Sequence, residues 1–189
     1  MHLPALSFRG ITIAATVILL QACGQEAPTG KPAAIIPFFD LKSFFRQEAE
    51  ALAGQQPKVY KRLDIDGKTE EQQPQNLNFS EELRLFSDAD INRPAWLDKY
   101  AVDSLLDNGR LQRLTYRALE EGLKTRELQI DFLNGEVSEI HIRKQFNTAI
   151  ANTEQKLEYY PGKGYSVYNR QKTVLQAPQV FKVEVSLEF

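Results

Sequence analysis

Val180-Phe181-Lys182-Val183-Glu184-Val185-Ser186-Leu187-Glu188-Phe189 decides the fold. Phe181, Val183, Val185, Leu187 and Phe189 fall on one side of this stretch, and Lys182, Glu184, Ser186 and Glu188 on the other. Side chains along a strand point alternately to opposite faces, so the stretch reads as a strand with one dry and one wet face. A dry and a wet face together mark an antiparallel sheet.

The same reading extends backward through the chain. Tyr165 to Gln176 is broken from the last strand by Ala177-Pro178, and Thr153 to Tyr160 precedes the turn Pro161-Gly162-Lys163-Gly164. Arg126 to Leu133 and Val137 to Phe146 flank Asn134-Gly135, and Tyr100 to Leu106 and Arg110 to Leu119 flank Asp107-Asn108-Gly109. Lys58 to Ile65 and Lys68 to Gln72 flank Asp66-Gly67. Asn-Gly and Asp-Gly supply the positive φ angles of two-residue hairpins. With short turns throughout, strands adjacent in sequence should be adjacent in space. About nine such strands should curl into a half-barrel or barrel.

Two helices complete an α+β class. Phe38, Leu41, Phe45, Ala49 and Leu52 recur at helical spacing, with Asp40 as N-cap and Gly54 just past the end. Asn78 opens a second helix carrying Phe79, Leu83 and Phe86, with Glu81 placed for a capping box. Arg93-Pro94 stops it. Both helices should pack on the sheet, covering its open mouth or apolar face.

The N-terminal stretch is of another kind. Ile11 to Leu20 is an apolar run behind a weakly basic start, His2 and Arg9. It is far short of the about 20 residues of a membrane span and fits a signal-peptide core. It ends at Leu20-Gln21-Ala22-Cys23, and Cys23 is the only cysteine among 189 residues. This stretch resembles a bacterial lipobox, which implies lipidation of Cys23 and cleavage before it. Residues 1–22 then form a signal peptide, 23–37 the lipidated cysteine and an extended tether, and 38–189 a single α+β domain. Gly24 to Pro37 holds three prolines and two glycines. As an extended linker it would reach about 40 Å at ~3.1 Å per residue. The absence of Asp after Cys23 leans towards the outer membrane, with the domain facing the periplasm.

Composition sets limits on partners. The formal charge is −2, which gives no reason to expect nucleic acid. An acylated Cys23 leaves no thiol for a disulfide or a thiolate metal site. No phosphate loop, dinucleotide glycine fingerprint or nucleophile elbow is present, so no cofactor is expected. Asp64-Ile65-Asp66-Gly67 and Asp88, Asp90 and Asn92 begin like calcium loops, but Arg93 and Lys99 stand at the glycine and closing glutamate positions of the second, and the first lacks the set. No metal site is expected. His141, between Ile140 and Ile142, should point to solvent. Tyr159, Tyr160, Tyr165 and Tyr168 crowd the Pro161–Gly164 turn, where they either contact a ligand or partner or brace a hairpin. Trp96 reads as a core or lid residue with the same alternative of contact. Asp103-Ser104-Leu105 is similar to a short O-glycosylation acceptor.

The whole chain resembles lipoproteins of Bacteroidetes-type bacteria: a lipobox, a short tether, the Phe38-Phe39-Asp40-Leu41 helix and a meander. The architecture is similar to the half-barrel lipoprotein carriers of the Lol system, at the level of fold alone. The resemblance implies a membrane-anchored envelope lipoprotein and brings no activity with it. Three roles stand: a non-enzymatic binding or scaffold protein contacting an envelope partner, a carrier with an apolar cavity for a lipid or other hydrophobic molecule, and a hydrolase using carboxylates.

Overall fold

The computed structural model describes residues 38–189; Cys23, the leader and the tether lie outside them. The hairpins read from the sequence form. Strands β1 (Lys58–Ile65) and β2 (Lys68–Gln72) meet at Asp66-Gly67, β3 (Tyr100–Asp107) and β4 (Arg110–Ala118) at Asn108-Gly109, and β5 (Thr125–Leu133) and β6 (Glu136–Asn147) at Asn134-Gly135. All six turn residues have positive φ, between 50° and 87°, as two-residue turns between twisted strands require. Then follow β7 (Ala151–Tyr160), β8 (Gly164–Thr173) and β9 (Gln179–Glu188).

The nine strands make one sheet in the order β2-β1-β9-β8-β7-β6-β5-β4-β3, every pairing antiparallel. Sequence neighbours are spatial neighbours with one exception. β1 lies against β9, and β2 and β3 end up at opposite edges. The sheet is therefore open, and the closed-barrel alternative does not hold. The reason is visible in the edges. Val183 and Val185 of β9 find apolar company in β1 (Val59, Leu63), whereas all five residues of β2 are exposed.

One face of the sheet is dry. Tyr116, Leu128, Ile142, Leu157, Val167 and Val183 form a buried row from β4 to β9. Helix α1 (Leu41–Gln55) lays Leu41, Phe45, Ala49 and Leu52 on it. Leu41, Phe45 and Leu52 each contribute roughly 1.5–3 kcal/mol by leaving water. The Asp40 carboxylate caps α1 by accepting from the Ser43 amide at 3.0 Å, a bond that holds its pKa below the usual value. The helix runs past Gly54, contrary to expectation. Its left-handed C-cap is Gln56, at φ 48°, whose amide closes on the Leu52 carbonyl.

The second helix is broken into two turns, α2 (Phe79–Glu82) and α3 (Arg84–Ser87), joined at Leu83. Asn78 accepts from the amides of Ser80 and Glu81. Glu81 faces Arg84 at 3.6 Å, and the reciprocal half of the capping box is not made. Phe86 still reaches the core, where its ring, Phe45 and Tyr159 sit 5.0–5.8 Å apart.

Candidate functional site

The four tyrosines do not form one cluster. Residues 159 and 165 face each other across β7 and β8 on the dry side, while 160 and 168 stand on the other face. The Tyr159 hydroxyl donates to Glu48 of α1 at 2.6 Å. The Tyr165 hydroxyl donates to Glu82 of α2, which also takes Lys61 at 3.0 Å. Burial first, and then the bonded carboxylate, pushes both phenols well above their ordinary range. They are fixed donors that tie helices to sheet, and they face each other as a cross-strand pair on the dry side. Gly164 permits the turn beside them, since a Cβ there would lie 1.9 Å from the Val185 carbonyl oxygen. Trp96 is half-buried in a 3₁₀ turn (Pro94–Trp96), with the Arg93 guanidinium 4.2 Å over its ring and Tyr100 beyond.

Among the described residues, the polar face carries a concentration of chemistry-bearing side chains that sequence reading left scattered. Register sets a row across all nine strands: Asp103, Thr115, Gln129, His141, Glu158, Ser166, Glu184, Arg62 and Glu71. His141 stands next to its centre, half-buried. Its Nε2 lies 3.0 Å from Glu139 and its Nδ1 4.0 Å from Glu158. Tyr160 stands edge-on to the ring at 6.1 Å. Glu158 also accepts from Ser166 at 2.9 Å and from the Tyr160 hydroxyl at 3.4 Å. Glu139 is directly opposite Asp131, which is held by Arg113 at 2.5 Å and by Gln129 at 2.8 Å.

This arrangement constrains the chemistry available. Ser166 is bonded to a glutamate and not to the imidazole, so the order nucleophile–base–orienting acid is not built. Asp131, Glu139 and His141 bring one ligand atom each within 4.8 Å of one another. A cation there would have to displace Arg113 and Gln129 from Asp131 and share His141 with Glu139. The hollow at His141, lined also by Glu127, Arg143, Lys156 and Glu158, is only about 160 Å³. A larger groove of about 640 Å³ lies open along β9, β1 and β2, between Tyr60, Arg62, Glu71 and Glu184.

Among the described residues, no helix is long and apolar enough to cross a membrane. No protein-family description, curated protein or solved structure matches the chain.

Proposed function

We propose that the protein is a lipid-anchored envelope protein that works by binding or scaffolding, without catalysis. One observation carries the anchor: the single cysteine, Cys23, falls where the apolar run Ile11–Leu20 ends. The lipid on Cys23 holds the protein at the membrane, most consistently the outer membrane with the domain facing the periplasm. Two or more acyl chains make such an anchor stable.

The packing favours binding over carriage. The dry face under the helices is filled, with Leu41, Phe45, Phe86, Leu128, Ile130 and Tyr159 all at 1% exposure or less. That leaves the broad polar face and the strand edges as contact surfaces for an envelope partner. A hydrolase is disfavoured by the bonding around His141, where Ser166 donates to Glu158 and not to the imidazole, and Asp131 is held by Arg113 and Gln129.

Membrane fractionation tests the anchor. Cys23→Ser should move the protein from the membrane pellet to the soluble fraction with its circular dichroism unchanged. Retention of Cys23→Ser in the pellet would overturn the reading. Native mass spectrometry of protein from its own envelope separates the other roles, because a co-purifying lipid in the domain would favour the carrier.

A further inference from the structure

The two edges of the sheet are built differently. β2 reads Lys68-Thr-Glu-Glu-Gln72, and charged side chains on an edge discourage pairing with another chain. β3 reads Tyr100-Ala-Val-Asp-Ser-Leu-Leu-Asp107, without proline, lysine or arginine. Every residue of β3 after Tyr100 is exposed, and Val102, Leu105 and Leu106 are 55%, 57% and 59% exposed. The bulge in this hairpin falls on β4, where Gln112 has no partner, so β3 itself stays regular. The Lys99 carbonyl accepts from Leu119. By the alternation of an antiparallel ladder, Val102, Ser104 and Leu106 then direct their N–H and C=O groups away from β4. Among the described residues this ladder has no partner on its outer side, and apolar side chains lie along it.

We propose that β3 is a self-association edge, and that two copies of this chain pair β3 to β3, antiparallel, about a two-fold axis at Ser104. A two-fold interface must be complementary to itself, and β3 is so in one register. Centring on Ser104 sets Val102 opposite Leu106 of the second copy on the dry side. On the polar side it sets Asp103 opposite Leu105 and Ala101 opposite Asp107. Centring on Asp103 places that aspartate against its own copy, and centring on Leu105 places Asp103 against Asp107. Like charges directly opposite are destabilising. Registers centred nearer either end of β3 leave Val102 or Leu106 unpaired. The backbone agrees, because the outward-directed groups of Val102, Ser104 and Leu106 meet one another in the Ser104 register. Phe38, where the described chain begins, packs on Tyr100 and Tyr116 beside β3 on the dry side. A two-fold axis normal to the sheet puts both copies' Phe38 on that same side.

The test uses the full chain carrying Cys23→Ser, which has no other thiol. Sedimentation velocity over a wide concentration range should show a dimer, and Val102→Lys with Leu106→Lys should abolish it while circular dichroism stays unchanged. Adding Ser104→Cys should give a disulfide-linked dimer on oxidation, whereas Thr69→Cys on β2 should not. A chain that stays monomeric at every concentration would overturn the proposal and leave β3 free for an extended segment of another protein. So would a dimer that survives the two lysines, or one that cross-links equally through Thr69→Cys.

Discussion

Tyr159 and Tyr160 are neighbours in sequence and opposites in structure. The first is fully buried, packed among Phe44, Phe45 and Phe86 with its hydroxyl on Glu48. The second lies half-exposed on the polar face against His141 and Glu158. The strand's period of two, not the side chain's chemistry, decides which tyrosine holds the fold and which is left for contact. The same division runs through the whole sheet. On the dry face Tyr159 and Tyr165 turn their hydroxyls to helix attachment, and the other face arranges polar groups in rows that pair with one another.

Alanine substitution breaks this comparison most directly. Tyr159→Ala should cost about 3–5 kcal/mol in urea unfolding, from the cavity left under α1. Tyr160→Ala should cost no more than about 1 kcal/mol. Equal losses at the two positions would contradict the division of faces. Alkaline titration is the next probe. Burial pushes Tyr100 up to about 12 and raises Tyr116, Tyr159 and Tyr165 as well. The unfolded chain releases these protons near pH 10, while the folded chain keeps them. Stability is therefore full below about pH 10 and falls as pH rises above it, Tyr100's share being lost by about pH 12. The urea midpoint should drop between about pH 10 and about pH 12, and Tyr159→Phe should flatten that drop. A midpoint constant over this range would mean that the dry-face phenols ionise as if exposed.

The smallest effect belongs to the polar face. Glu139→Gln keeps an acceptor for His141 and removes the like charge opposite Asp131. Chemical denaturation should show a change within about 0.5 kcal/mol, towards greater stability. A loss above about 1 kcal/mol would show that the His141–Glu139 contact helps to hold the sheet.

Most of the fold was legible because its information is local. Asp66-Gly67, Asn108-Gly109 and Asn134-Gly135 fix three hairpins through turn geometry alone, and alternation assigns the faces of β5 and β9. The pairing of β1 with β9 depends on side chains far apart in sequence, and no local pattern announces it. Gly54 looked like a helix stop, yet Gln56 takes the left-handed position because the Leu52 carbonyl is within reach of its amide. The polar cluster was hidden for a sharper reason. Plain counting from the Asn134-Gly135 turn sets Asp131 opposite Ser138, but the register shift after Phe132 sets it opposite Glu139. One irregular residue brings the carboxylates together beside His141. The four tyrosines failed as a cluster because crowding in sequence ignores the alternation of faces.

The pairing of β1 with β9 also governs the order in which the molecule can be assembled. Tyr60 and Glu188, bonded across that seam, are 128 residues apart. Contacts so distant in sequence close late, since loop closure must come before they gain anything. β1 with β2 can form a hairpin early, but it joins the sheet only when β9 is in place. A chain emerging from a ribosome or a translocon would carry α1 with its apolar stripe uncovered until Phe86 and the strands under it, as far as Tyr159 of β7, have followed. The domain's slow step is thus written into its strand order, and any companion that guards the nascent chain would have α1 to guard.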